Sequence, residues 1–212
     1  QGQTWCLFGH GQALTDTGAI GEPAGWLPIF VLVYRSNKAE NAIAINSTEL
    51  NNNVDVNDKA LMQPVAVMPV FVKGHHRGEF VFDYAWAEAY ARYGLDYYPR
   101  LVTSSPYTPI TGQRIWLTVD QVLDSEVIQT IMAGVDDIAQ QVGASSWHGL
   151  FVTPELAKLA ASTQSEIAKA LADNHNISQH KNSIDNSIVT TPILERQGCQ
   201  FLWQNKDLLN DK

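Results

Sequence analysis

Cysteine is nearly absent. Cys6 and Cys199 are the two cysteines in 212 residues, far apart and without CxxC spacing, which excludes a disulfide framework and a zinc signature. A reducing, cytoplasmic location is the expectation that follows. Long apolar runs are missing too: nothing approaches the roughly 18 to 20 residues needed to span a bilayer, and the N-terminus lacks the basic-then-apolar pattern of a signal peptide. Positive charge is scarce. Fourteen Lys and Arg face 22 Asp and Glu, for a net charge of -8, so a broad landing surface for nucleic acid or anionic lipid is disfavoured, although a local basic pocket is compatible with this balance. No internal repeat is present. The chain starts at Gln1 rather than Met and ends at Lys212 shortly after an aromatic segment, and both ends read as those of a piece of something longer.

The remaining composition is that of a soluble globular protein, 45% apolar, with enough chain for one domain or a domain and a half. Its densest stretch is residues 74–114, GHHRGEFVFDYAWAEAYARYGLDYYPRLVTSSPYTPITGQR. Glycines and prolines fix the backbone there, tyrosines offer an apolar body with a hydroxyl, and Glu79, Asp83, Arg100 and Arg114 are set singly among them. That is the composition of a binding cleft.

Residues 1–28 read as a loop with a short helical piece at 12–17, leading into a strand. Two strand-length apolar runs, 29–34 and 65–72, are expected to pair antiparallel. Between them, residues 36–63 are rich in Asn, Asp and small side chains and read as a mobile surface insertion. Asp83 looks like the N-cap of a helix with Trp86, Tyr90 and Tyr93 on one face, Glu88 and Arg92 on the other, and Gly94 as its stop. Strands are expected at 97–104, 113–117 and 145–152, and helices at 122–142, with Val127, Ile131, Val135 and Ile138 in register, and at 154–171 after Thr153. A polar loop at 173–192 leads to strands at 193–196 and 199–203. The order gives a mixed α/β, or α+β, sheet flanked by helices.

The segments GW-P at Gly25, Trp26 and Pro28, then PVFVKGHHRGEFVFDYAWAEAYARYGLDYYPRL, SSPYTPITGQR, SSWHGLF and ERQGCQFLWQN resemble the FemAB-like peptidoglycan biosynthesis/recognition family, often catalogued with the acyl-CoA N-acyltransferases of GNAT type. The resemblance covers nearly the whole chain. It implies a GNAT-like domain over residues 1–172, with the start of a second such half at 193–212, and transfer of an acyl or aminoacyl group to an amine acceptor related to peptidoglycan precursors. Departures from the family pattern are His76-Arg77 in place of a serine, Arg100 for Lys, Tyr107 for Phe, the length of 36–63, and the absence of the second half. A recognition module that binds cell-wall peptide or sugar without catalysis, and an inactive fragment, are the alternatives.

Transfer to an amine needs a neutral amine, a polarised carbonyl and a proton for the leaving group. Glu79 is the expected base, with Asp83 either orienting beside it or merely capping the helix, and His148 and His75 supply polar cleft groups. Arg100 and Arg114, helped by Lys73, suit an anion pocket, their plain reading being solvated strand ends. Tyr98 or Tyr107 is placed near the leaving group, and Thr108 and Trp203 complete the substrate-binding set. Strand alternation would turn Tyr97 and Tyr98 to opposite faces. Trp86, Tyr90 and Phe82 read as core, and Cys199 as an inert buried thiol. His75, His76 and Glu79 lack the helical register of a zinc motif, so no metal is expected. No tightly bound cofactor is expected either: the donor is acyl-CoA or aminoacyl-tRNA, the missing (Q/R)xxGx(G/A) loop weighing against CoA and the acidic balance against tRNA. Oligomeric state is not legible.

Overall fold

The computed structural model describes residues 2–36, 43–47, 62–81, 83–175 and 193–197. In chain order the elements are α1 (Gly2–Asp16), β1 (Trp26–Ser36), β2 (Ile43–Ser47), β3 (Met62–Lys73), α2 (Tyr84–Arg92), β4 (Arg100–Thr103), β5 (Trp116–Leu117), α3 (Ser125–Val142), β6 (Trp147–Gly149) and α4 (Pro154–His175). The two apolar runs pair antiparallel as β1 and β3, from Trp26 opposite Lys73 to Ser36 opposite Met62. β2, inside the 36–63 segment, adds to the outer edge of β1. On the other side β4 pairs antiparallel with the end of β3, and β6 lies parallel to β4. The sheet runs β2-β1-β3-β4-β6, with β5 also on β3, and is therefore mixed α/β.

Strand alternation divides the sheet into two faces. One carries Val31, Val33, Met68, Val70 and Leu101, which pack with Val127, Ile131, Val135 and Ile138 of α3 into the main core. The helix holds this position because its apolar residues recur on one face, Asp124 caps it by accepting from the Val127 N–H at 2.9 Å, and Gly143 closes it. In α4 Pro154 opens the helix and the Thr153 hydroxyl accepts from the Leu156 N–H at 3.3 Å. The opposite face buries Trp26 and Phe71 against Ile20 and Leu14. Among the described residues no helix is long and apolar enough to cross a membrane.

Several local expectations are corrected. The N-terminal segment is a full helix rather than a loop: its glycines hide the helical signal, while Leu14 against the second core and His10 Nε2 on the Pro106 carbonyl, 3.0 Å away, tie it down. β4 is shorter than 97–104 because Pro99 has no N–H for a ladder, and β5 and β6 are likewise shorter than expected. Residues 193–197 are not a strand; the Ile193 N–H donates to the Gln164 side chain. α2 buries none of its residues, with Trp86 51% and Tyr93 84% exposed, so its aromatic stripe is not core. The Arg92–Glu88 pair forms at 2.7 Å. Phe82, Cys199, Trp203 and most of 36–63 and 173–192 lie outside the described residues.

Candidate functional site

Register alone brings the site together. Trp26 opens β1, Lys73 ends β3 and Arg100 opens β4, and the three stand in one cross-strand row. All three are fully buried. His148, opposite Val102 on the neighbouring parallel strand, shares their face by alternation. Two cations side by side in a buried row repel each other, so the row requires carboxylates. The turn after β3 supplies both: Glu79 and Asp83, 2% and 4% exposed, point inward.

Arg100 is the hub. Its Nη2 donates to Glu79 Oε2 and its Nη1 to Asp83 Oδ2, while Glu79 Oε1 lies 3.8 Å from Lys73 Nζ. The Tyr97 hydroxyl donates to Asp83 Oδ2 at 2.8 Å and lies 2.6 Å from Arg100 Nη1. His148 Nδ1 is 3.4 Å from Nη1 and its Nε2 is 3.0 Å from Ser146 Oγ. Since a guanidinium only donates, Nδ1 accepts and Nε2 carries the proton. Burial first, then Arg100, brings His148 down to about 4 and Lys73 down to about 7. Burial lowers Arg100 to about 10, leaving it cationic at neutral pH. Lys73 also sits over the Trp26 ring, 3.7 Å from its centroid, and donates to the Arg77 carbonyl at 2.8 Å.

Asp83 occupies the N-cap position of α2, yet its side chain caps nothing. Its carboxylate is turned to Arg100 and Tyr97, because a buried cation outcompetes the helix amides for it. Tyr97 and Tyr98 do not diverge as strand neighbours: they precede β4, their rings meet edge-to-face at 5.0 Å, and both lie near the Arg100 guanidinium, at 5.1 and 5.5 Å. Burial, then Tyr98 and Tyr90, pushes Tyr97 up to about 12, and burial raises Tyr98 as well. Glu79 Oε1, Asp83 Oδ1, Arg100 Nε and the Tyr98 hydroxyl are buried without hydrogen-bond partners.

Of the other expected residues His75 adjoins this network, its Nδ1 lying 3.4 Å from Lys73 Nζ, while Arg114 and Thr108 make their contacts elsewhere. Arg114 is buried rather than solvated, and its guanidinium donates to the carbonyls of Leu150, Gln113, Ile110 and Phe151, which leaves it a tie between loops and not an anion contact. Tyr107 donates to the Ala19 carbonyl at 2.8 Å and packs at a tilt against the Trp26 ring, and the Thr108 hydroxyl donates to the Pro106 carbonyl. His75 donates from Nε2 to the Ala24 carbonyl at 2.9 Å and accepts on Nδ1 from the Arg77 N–H at 3.2 Å, and burial lowers its pKa. Sequence reasoning gave Lys73 only an auxiliary part, admitted at most one of Tyr97 and Tyr98 to the cleft, and gave Trp26 no part in the site. The antiparallel pairing of β3 with β4, counted residue by residue, is the signal that finds the row. On the outer side of the same turn, His76, Arg77, Gly78, Phe80 and Val81 line a cavity of about 220 Å³.

The architecture is that of a mixed α/β protein with a charge network built into one end of its sheet. The chain belongs to the FemAB-like family, described as peptidoglycan biosynthesis/recognition, which it matches over residues 3–211. No curated protein and no solved structure matches it. Family membership sets a cell-wall context for the site.

Proposed function

We propose that the chain transfers an acyl or aminoacyl group to the amine of a peptide acceptor of peptidoglycan type, in a GNAT-like manner, around Glu79, Arg100, Tyr98 and His148. The observation that carries this reading is a set of buried polar atoms without hydrogen-bond partners: Glu79 Oε1 and Asp83 Oδ1 as acceptors and Arg100 Nε as donor on the side chains of one ion-pair cluster, with the hydroxyl of Tyr98, whose ring centroid lies 5.5 Å from Arg100 Cζ, as a second donor. They match the needs of the reaction. The acceptor amine attacks the acyl carbon, a C–N bond forms, and the C–O bond of an aminoacyl ester or the C–S bond of a thioester breaks. Glu79 takes the amine proton, Asp83 orients the amine, Arg100 Nε–H donates to the carbonyl oxygen as it gains charge, and Tyr98 gives its proton to the leaving oxygen or sulfur. Solvent carries the proton from Glu79 back to Tyr98. His148, neutral at physiological pH, accepts from Arg100 and fixes the guanidinium.

α2 adjoins the network through Asp83 at its start and through Tyr90, whose ring meets Tyr97 at 5.1 Å. The donor is acyl-CoA or aminoacyl-tRNA. Burial raises Tyr98, which suits protonation of an alkoxide better than of a thiolate and so favours the ester donor. One observation favours the second reading, recognition of cell-wall peptide without transfer: Glu79 is 2% exposed.

Tyr98→Phe separates the two. Its hydroxyl has no hydrogen-bond partner to lose, so the fold is retained, and loss of a general acid lowers the transfer rate about 100-fold or more. An unchanged rate would remove Tyr98 from the reaction. Glu79→Gln, followed with a melting curve because it also weakens an ion pair, abolishes transfer under the enzyme reading and leaves peptide affinity unchanged under the recognition one.

A further inference from the structure

We infer that the cavity on the outer side of residues 76–81 is a subsite for the terminal carboxylate of a short peptide, with Arg77 taking the carboxylate and Phe80 and Val81 packing against the apolar side chain next to it. The inference rests on the peptide-acceptor reading above and adds to it where the acceptor is held.

The turn is fixed from the inside. Its Arg77 carbonyl accepts from Lys73 Nζ at 2.8 Å and from Trp26 Nε1 at 3.1 Å, the Arg77 N–H donates to His75, and the Gly78 carbonyl accepts from the Tyr107 N–H at 3.1 Å. With the backbone pinned, the side chains divide. Glu79 goes inward to Arg100, while Arg77 and Phe80 are exposed beside the cavity. Phe80 is held at φ 58, a left-handed conformation that a bulky side chain rarely adopts, and it is 50% exposed. With Glu79 turned inward, this backbone leaves the Phe80 ring outside, beside the cavity.

Charge points the same way. Within a chain of net charge -8, the nearby carboxylates are engaged elsewhere, Glu79 by Lys73 and Arg100 and Asp83 by Arg100. No described carboxylate pairs with Arg77, an exposed arginine among the residues that line the cavity. One guanidinium fork matches the two oxygens of one carboxylate. A volume of about 220 Å³ holds a residue-sized fragment, and a doubly charged phosphate calls for more fixed positive charge than one arginine.

The test uses the full chain with Nα-acetyl-Lys-D-Ala-D-Ala, whose free ε-amine can accept an acyl group, and its C-terminal amide, titrated by calorimetry or NMR. The acid is expected to bind at least about tenfold more tightly than the amide, the difference made by a charge-assisted pair. Arg77→Gln erases that difference by weakening the acid alone; Arg92→Gln, an exposed arginine paired with Glu88 on α2, changes neither. Equal affinities for acid and amide, an unaffected Arg77→Gln variant, or displacement of the acid by inorganic phosphate at lower concentration than by peptide would each overturn the subsite. The two proposals fail separately. Acid-selective binding with no acylation of the peptide keeps the subsite and removes the transferase reading, whereas acylation indifferent to the C-terminal group and to Arg77 does the reverse.

Discussion

Lys73 and Arg100 stand directly opposite each other across the β3–β4 pair, both fully buried, and one carboxylate serves both: Glu79 turns Oε2 to Arg100 and holds Oε1 3.8 Å from the ammonium. A like-charged cross-strand pair is unfavourable by itself. Here it makes the end of the sheet a place where Glu79 and Asp83 must go, and so it fixes the turn and the start of α2 that carry them. Fold and site share one electrostatic cause.

The first prediction concerns Lys73. Its ammonium is shed near pH 7 in the folded protein and only near 10.5 when unfolded. Between these values the unfolded chain binds more protons, so stability rises with pH. Urea midpoints measured from pH 7 to about 9.5 are expected to climb by up to about 3 kcal/mol in stability. Lys73→Met removes the climb. A flat profile in the parent protein would contradict the burial of this charge.

Asp83 and Asp124 occupy equivalent N-cap positions but do different work. Asp124 caps α3, so Asp124→Ala is expected to cost about 1 kcal/mol. Asp83→Ser keeps a good capping residue yet strips one partner from a buried ion pair, at a cost of about 3 kcal/mol. Chemical denaturation of the two variants ranks them; a smaller loss for Asp83→Ser would restore its capping role.

What was legible in the sequence was whatever local pattern carries. Val127, Ile131, Val135 and Ile138 gave α3 because period and caps agree, and the β-branched runs gave the β1–β3 pair. The role of Asp83 was not legible, since a good N-cap residue looks the same whether it meets helix amides or a guanidinium 17 residues away. Nor does an amphipathic spacing tell whether a stripe is covered, which is why Trp86 read as core and is half exposed. Arg114 has the composition of an anion contact, but its four carbonyl partners come from loops whose approach only the tertiary fold sets. The chemistry of transfer to an amine picked out Glu79 and His148 and gave Lys73 a helping part, and strand register places Lys73 directly opposite Arg100.

For His148 the sign is the same as for Lys73 and the window is lower. The buried imidazole takes up a proton only near pH 4, against about 6.5 in the unfolded chain. Stability is therefore complete above about 6.5 and falls as the pH drops toward 4, where the unfolded state binds the extra proton. His148→Gln is expected to flatten that acid limb. Imidazole ¹⁵N shifts provide a second check: the Nε2–H tautomer, neutral down to about pH 4, is required by the Arg100 contact.

Gly78 and Gly94 bracket the segment that carries Glu79 and Asp83, both with positive φ, of 83 and 70. They differ in what surrounds them. A Cβ at Gly94 meets nothing within 4 Å, so Gly94→Ala bears only the left-handed backbone penalty of about 1 kcal/mol. At Gly78 the added Cβ falls 2.6 and 2.7 Å from Tyr107 ring carbons and 3.1 Å from the Trp26 ring. Neither ring can retreat easily, because Tyr107 is anchored on the Ala19 carbonyl and Trp26 is fully buried under Lys73. Gly78→Ala is accordingly expected to cost about 3 kcal/mol, backbone strain and overpacking together. A double-mutant cycle isolates the steric part: with Tyr107→Ala already in place the ring is gone, and adding Gly78→Ala then costs about 1 kcal/mol, as at Gly94. Additive losses in that cycle would mean that the turn gives way elsewhere and that Tyr107 does not hold it.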